Sequence, residues 1–454
     1  MTQYDLAIIG SGPGGYVGAL YACRHKLKTC VIEKDLTGGT CLNRGCIPTK
    51  SLINSAGILK TVKDASLYGV EASGVRVDFG KMITRKNEVV TRLRTGIETL
   101  FRANKVDLIK GEAKVAGANT ISVSGQNDLK AKYIIIASGS SVMDLPGISV
   151  DHHDILSSDD ILDIKEIPQA IAIIGGGVIG CEFASLFNAL GSKVTIVEFT
   201  DRLIPTQSRE ASKKLEMIFK RRGMDVLLSS KAESVEKGNV LKLSVSGGKT
   251  IEAEKILVSI GRVPNIDCIK GVKCGVREDG GRIAVDDYLE TGEKGIYAIG
   301  DCVAGPMLAH KASYDAMLAC DNILGLKRKV DYSNIPNCIW TDPEIASVGL
   351  TEEDVKAKCP DARIAKFPYL ASGKALIIGK SEGFVKIIGD AKGNILGVEI
   401  LGEGASDLIA EAVLAKTANI NIKDWARSVH GHPTLSEVIQ EAVHVFCGTP
   451  IHSI

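Results

Sequence analysis

Near its N-terminus the chain passes from a continuous apolar run into glycines and then into helical spacing. Tyr4 to Ile9 is apolar in the manner of a strand covered on both faces, and Gly10 to Gly15 forms a turn. Tyr16 to Arg24 reads as a helix and Thr29 to Glu33 as a second strand, so the segment predicts a βαβ unit. The order returns from Ala170 to Glu198, where Gly175, Gly177, Gly180 and Glu198 repeat the spacing of Gly10, Gly12, Gly15 and Glu33.

Between the repeats lie a polar helical stretch at 81–104, strand-like segments to residue 136 and a loop from Ser138 to Pro146, a natural boundary. After the second repeat, Ile256 to Ile260 runs into Gly261 to Asn265, expected to be a turn leaving the domain, and Gly295 to Asp301 adds a strand ending in a polar turn. From about Asn334, short β-rich stretches (384–388, 395–400) mix with helices expected at 405–418 and 434–446, without a nucleotide signature. The fold class is α/β: two Rossmann-like dinucleotide-binding domains followed by a C-terminal α+β domain.

Composition narrows the function classes. At 454 residues, 45 % hydrophobic, the chain has enough material for several cores. Fifty-five basic and 54 acidic side chains leave a net charge of +1, which supplies no global attraction for nucleic acid or an anionic membrane, so neither partner is expected. No apolar stretch approaches the roughly 18 residues of a membrane span, and no signal-peptide pattern precedes the first strand, so a cytoplasmic location, or an organelle form already processed, is expected. The 12 cysteines are mostly isolated in apolar surroundings and do not resemble a secreted disulfide framework. The histidines show no zinc-type spacing with Cys, Asp or Glu, so no metal is expected.

Each glycine fingerprint follows a strand and opens a helix, which brings a phosphate to the helix N-terminus, and each is followed by an acid suited to a ribose 2′-hydroxyl. An acid repels a 2′-phosphate, so Glu198 argues for NAD over NADP at the second site. Just after the first unit comes Cys41-Leu42-Asn43-Arg44-Gly45-Cys46. In a regular helix these cysteines would sit about 8–9 Å apart, beyond disulfide reach, so a bridge requires a non-helical or strained turn; the alternative is a pair of packing thiols. Lys50 would face the way Cys46 does on a helix starting near Pro48, where it stabilises a thiolate or a reduced cofactor, or is simply solvated. His432 stands just before a helix with apolar positions at Val438, Ala442, Val445 and Phe446, and can serve as a base for a dithiol. Glu437 has two readings, orienting His432 or closing a capping box on Thr434 as N-cap.

With these residues in view, the whole chain resembles the disulfide-containing flavoprotein reductases, most closely the branch that oxidises dihydrolipoamide. The resemblance is carried by Gly38 to Lys50, Gly261 to Asn265, Ala298 to Asp301, Met307 to Ala312 and His432 to Glu437. It implies FAD at the first fingerprint, with Glu33 on the adenosine ribose, Asp301 by the ribityl chain, the backbone of Leu308, Ala309 and His310 by the isoalloxazine, and Thr40, Ala113, Ser138 and Gly139 also in the FAD site. NAD would take the second fingerprint, with Ala232 and Gly261 contributing. It further implies a Cys41–Cys46 disulfide in which Cys41 exchanges with substrate and Cys46 touches the flavin, and a Lys50–Glu182 pair. His432, oriented by Glu437, would complete the other subunit's site in an obligate homodimer whose substrate arrives on a lipoyl-bearing partner protein. The implied domains are 1–145 with 268–333 for FAD, 146–267 for NAD and 334–454 for dimerisation. Departures are Ser138 where threonine is usual and Arg44 where relatives often have an apolar residue. Glutathione-type reductases are the nearest rival; they usually carry basic residues near the second acid, where this chain has only Arg202, and a tyrosine where Ile179 stands.

Overall fold

Strand Gln3–Ile9 lies at the centre of a mainly parallel sheet, flanked by Thr29–Glu33 on one side and Leu129–Ile136 on the other. Leu6, Ala7 and Ile8 are fully buried, as a strand covered on both faces requires. In the computed structural model, which describes residues 3–271 and 274–452, the helix after this strand spans Pro13–Arg24. It begins earlier than the periodicity suggests because Pro13, with its φ preset and no N–H to satisfy, suits a first helical position. Gly14 and Gly18 of this helix face Ala312 and Ala316 of the helix Ala309–Ile323, where a Cβ on Gly14 would lie 3.2 Å from Ala312 O. The small residues let the two helices approach closely.

The first sheet also takes up Ile296–Ala298, parallel to Leu129–Ile136, so the chain returns to it after building the second sheet. The second sheet is parallel, ordered 225–227, 193–197, 170–174, 255–258 and 155–156, with an antiparallel meander of 232–236, 241–245 and 249–253 beside it. The C-terminal sheet is antiparallel, ordered 337–339, 345–349, 395–401, 384–389 and 363–368. Helix Glu437–Cys447 presents Val438, Ile439, Ala442, Val443 and Phe446 as a buried stripe. Val443 thus holds the place expected for Val445, which is only partly covered.

Three local expectations are corrected. The stretch Gly261–Asn265 is not a free turn: Arg262–Pro264 pairs antiparallel with Ser140–Val142 inside the expected boundary loop. Ser138 Oγ donates to Asn265 O at 2.6 Å, and Asn265 N donates to Gly139 O at 2.9 Å, so the two crossings between sheets are pinned together. The helix carrying Lys50 begins at Cys46 rather than near Pro48. Thr434 is not an N-cap: the C-terminal helix starts at Glu437 after Ser436, and Thr434 Oγ1 donates to Gly431 O at 2.7 Å. Among the described residues, no helix is long and apolar enough to cross a membrane.

Candidate active site

Both glycine fingerprints are shaped by contacts that exclude side chains. Gly10 has φ +98° and a Cβ there would strike Ala137 O; Gly175 has φ +106° and a Cβ there would lie 2.5 Å from Ser259 O. A Cβ on Gly15 or Gly180 would run into the carbonyl of Gly10 or Gly175. The middle glycines differ: a Cβ on Gly177 would meet nothing within 4 Å, and one on Gly12 would meet only Gly39 Cα at 3.9 Å. Internal packing does not explain those two, whereas a diphosphate lying against the backbone does. The helices they cap, Pro13–Arg24 and Val178–Leu190, have no side-chain cap on their N-terminal N–H groups, which leaves donors and the positive helix end for an anion.

The two acids sit at these turns. Glu33 Oε2 accepts from Ser11 N at 2.8 Å and Ser11 Oγ at 2.6 Å, and its Oε1 accepts from Asp35 N at 2.8 Å. Glu198 accepts from Gly176 N, and from Thr200 N and Oγ1 at 2.7 Å. Each carboxylate is thereby fixed with acceptor capacity to spare for a ribose. Arg202, the residue that kept a 2′-phosphate in play, turns its Nη2 onto Pro205 O at 3.1 Å. Gly111 N donates to Glu33 O at 3.0 Å, which brings the strand starting at buried Ala113 beside the first acid, while Ala232 is buried in the core of the second unit and offers a ligand its backbone alone.

Cys41 lies on the short helix Gly39–Arg44, with Thr40 beside it, and Cys46 opens the helix Cys46–Lys63. Gly45 breaks the helix between them; a Cβ there would be 3.0 Å from Thr40 O and 3.1 Å from Cys41 Cα, so glycine permits the turn that brings the thiols together. The expected disulfide is not formed in this structure, where both cysteines are free. The thiols differ: the hydrogen bond from Cys41 brings Cys46 down to about 7 despite burial, with Lys50 assisting, while the bond to Cys46 and burial push Cys41 up. The Cys41 hydrogen bond and the Lys50 charge thus favour ionisation of Cys46 over that of Cys41.

Lys50 Nζ meets Glu182 Oε2 at 2.7 Å and lies 4.3 Å from the centre of the Trp340 ring. Glu182, almost fully buried, also accepts from Trp340 N at 3.0 Å, so the pair ties together the cysteine helix, the second fingerprint helix and the C-terminal domain. Asp301 Oδ2 accepts from Ser140 Oγ at 2.6 Å, and Ser140 Oγ accepts from Arg262 Nε at 2.8 Å. Behind Asp301, Gly300 N donates to Asp315 Oδ2 at 3.0 Å, and Asp315 pairs with fully buried Lys311 at 2.8 Å. Leu308 caps the helix bearing Ala309 and His310, whose first backbone N–H groups lack a side-chain cap. Gly139, at φ +72°, and Gly261, at φ +136°, lie at the pinned crossings.

Glu437 orients His432 as expected but closes no capping box, since Thr434 is not the N-cap. Its Oε1 meets His432 Nδ1 at 2.9 Å and its Oε2 accepts from Thr434 N at 2.8 Å. Burial alone would raise the Glu437 carboxyl, but His432 and the Thr434 N–H outweigh it and hold it low. His432 is 81 % exposed, and its described polar contact is to Glu437 rather than to either cysteine. Further residues not singled out individually in the sequence join the site, Arg262 from within the Gly261–Asn265 segment. Ser11, by its place between the first glycines, carried a usable signal, whereas Trp340, Ser140 and Arg262 are brought there only by folding.

Residues 4–316 match the pyridine nucleotide-disulphide oxidoreductase profile, and residues 335–443 match the dimerisation domain of the same family. The chain belongs to the pyridine nucleotide-disulphide oxidoreductases. The family uses FAD and NAD(H), and the two glycine cradles fit two such dinucleotides. The chain is 41 % identical to the dihydrolipoyl dehydrogenase of Bacillus subtilis (strain 168), over 99 % of each chain. It is 42 % identical to the mitochondrial dihydrolipoyl dehydrogenase of Pisum sativum, over 99 % of this chain and 93 % of that one. The Cu(II) complex of a HOCl-induced flavoprotein disulfide reductase from Escherichia coli superposes with a TM-score of 0.89 at 27 % identity, covering 98 % of this chain and 100 % of the other.

Proposed function

We propose that this protein is a dihydrolipoyl dehydrogenase that oxidises the dithiol of a lipoyl-bearing partner protein and reduces NAD⁺. The observation that carries the reading is the Cys41–Cys46 pair brought together across Gly45, beside the Lys50–Glu182 pair and adjoining two dinucleotide cradles. Full-length similarity to dihydrolipoyl dehydrogenases supports it.

In the oxidised enzyme Cys41 and Cys46 are bridged. His432, its Nδ1 held by Glu437, takes a proton from one substrate thiol at Nε2. That thiolate attacks Cys41 Sγ; the new substrate–Cys41 bond forms as the Cys41–Cys46 bond breaks, and Cys46 leaves as a thiolate. The second substrate thiol then attacks the substrate sulfur and displaces Cys41, which takes up the proton, closing the substrate disulfide and leaving the pair reduced. Lys50, itself countered by Glu182, stabilises the Cys46 thiolate. Bound FAD supplies the two-electron path from the reduced pair to NAD⁺. Glu33, Thr40, Ala113, Ser138, Gly139, Asp301 and the 308–310 backbone hold FAD; Gly175, Gly177, Gly180, Glu198, Ala232 and Gly261 hold NAD. The match to the dimerisation domain supports a homodimer built through the 334–454 domain, in which the exposed His432 is assigned to the second subunit's site, with 1–145 and 268–333 for FAD and 146–267 for NAD.

The test is turnover of dihydrolipoamide with NAD⁺ and with NADP⁺, in wild type and Cys41→Ser. NAD⁺-dependent turnover that disappears in the variant supports the reading. NADPH-driven reduction of glutathione disulfide would replace it with the rival activity.

A further inference from the structure

The segment joining the second acid to the next helix, residues 199–208, rests directly on the second fingerprint. Ile204 N donates to Gly176 O at 2.7 Å, a Cβ on Gly176 would lie 2.6 Å from Leu203 Cδ2, and Thr200 binds Glu198. The far end of this segment is gripped from outside its own domain. Ser208, the N-cap of helix Arg209–Arg221, donates its N–H to Glu399 Oε1 at 3.1 Å and its hydroxyl to Glu399 Oε2 at 2.6 Å. Arg209 N donates to Glu353 Oε1 at 2.9 Å. Glu399 and Glu353 belong to the C-terminal domain, in strand Ile395–Leu401 and helix Glu352–Lys358.

Glu399 is in turn countered by Lys386, whose side chain is only 2 % exposed. Its Nζ lies 2.7 Å from Glu210 Oε2, 3.0 Å from Glu352 Oε2 and 3.5 Å from Glu399 Oε2. Lys366 and Lys356 neutralise the outer carboxylates, at 2.7 Å from Glu210 and 2.8 Å from Glu352. The other end of the same helix is held by Arg222, 3.1 Å from Asp342 Oδ2. A buried ionic cluster gains little stability over apolar packing, because desolvation offsets the attraction. Its directionality, unlike an apolar contact, fixes the register between the surfaces it joins.

We propose that Glu399 and Lys386 are positioning residues for the pyridine-nucleotide site: through Ser208 they hold the 199–208 segment, and with it Glu198 and Thr200, against the second glycine fingerprint. The dimerisation domain thereby sets affinity for the nucleotide without touching it. This rests on the reading that the second fingerprint takes NAD.

The experiment uses FAD-loaded enzyme carrying Ser208→Ala, Glu399→Ala or Glu399→Gln. NAD⁺ binding is titrated directly, KM for NAD⁺ and kcat are measured, and flavin bleaching by dihydrolipoamide is followed anaerobically without NAD⁺. Loss of the grip should raise Kd and KM for NAD⁺ roughly tenfold in Ser208→Ala and Glu399→Ala. The bleaching rate and kcat at saturating NAD⁺ should stay within about twofold of wild type. Glu399→Gln, which keeps an acceptor for Ser208, should recover most of the affinity, and Ser208→Ala combined with Glu399→Ala should lose no more than either alone. Unchanged NAD⁺ binding in Ser208→Ala, or an equal loss in the bleaching step, overturns the proposal. Failure of the reading beneath it shows separately, as wild-type enzyme that does not bind NAD⁺. Should Glu399→Ala not fold, Ser208→Ala decides the matter.

Discussion

Replacing Cys41 by alanine, with serine as the control, isolates the interaction that makes Cys46 acidic. In the reduced protein Cys46 lies at about 7 against an ordinary 9.0, with the Cys41 hydrogen bond as the largest cause, burial opposing and Lys50 helping. The difference favours the thiolate by an energy on the order of one charge-assisted hydrogen bond. A hydrogen bond to an ionised group contributes about 1.5–3 kcal/mol, which converts to roughly 1–2 units. Alanine removes that donor and leaves burial against Lys50, so Cys46 should return to about 9 or above. Serine keeps a hydroxyl in place and should hold Cys46 near its present value. At neutral pH a larger share of Cys46 is therefore ionised with the donor present than without it. The assay is iodoacetamide alkylation across a pH series, read by mass spectrometry on the Cys46 peptide so that the other thiols do not interfere. If the alanine and serine variants alkylate Cys46 with the same pH midpoint, the thiol–thiolate argument is wrong.

Gly177→Ala should fold with an unchanged melting temperature, because its Cβ points into open space at an ordinary φ of −72°, yet NAD⁺ affinity should fall; Gly180→Ala, which drives a Cβ into Gly175 O, should lower stability as well. Thermal denaturation and nucleotide titration on the two variants separate these outcomes. His432→Gln should slow dihydrolipoamide oxidation by about 10²- to 10⁴-fold while leaving flavin reduction by NADH intact, and an equal loss in both directions would deny His432 a role confined to the dithiol. Glu182→Ala leaves the part-buried Lys50 with only the Trp340 ring as partner among the described residues and should lower the melting temperature. Lys311→Met leaves the fully buried Asp315 without its cation, held by Gly300 N and the Tyr332 hydroxyl, and should weaken FAD retention on gel filtration along with stability.

Features set by neighbours in the chain are legible in the order of residues alone. The glycine and acid spacing in each fingerprint, the strands Gln3–Ile9 and Thr29–Glu33, and the helices after them follow from periodicity and turn chemistry over short stretches, so their identity survives folding almost unchanged. The Cys41–Cys46 spacing likewise demands a break, and Gly45 supplies it. Boundaries governed by competing partners are less secure: Thr434 has the side chain of an N-cap, but Gly431 O captures its hydroxyl while Glu437 is drawn to His432 as well.

What depends on packing is of another kind. Lys50 and Glu182 are 132 residues apart, and the 2.7 Å contact exists because the cysteine helix is laid against the second fingerprint helix; resemblance implied that pairing, but not Trp340, which completes it. The pairing of Ser140–Val142 with Arg262–Pro264, and the burial of Lys386 among carboxylates from two domains, depend on how separate sheets dock. Local spacing encodes turns and periodicity because those energies act within a few residues. The meeting of distant charges is decided by the docking of whole elements, where desolvation and geometry are settled together.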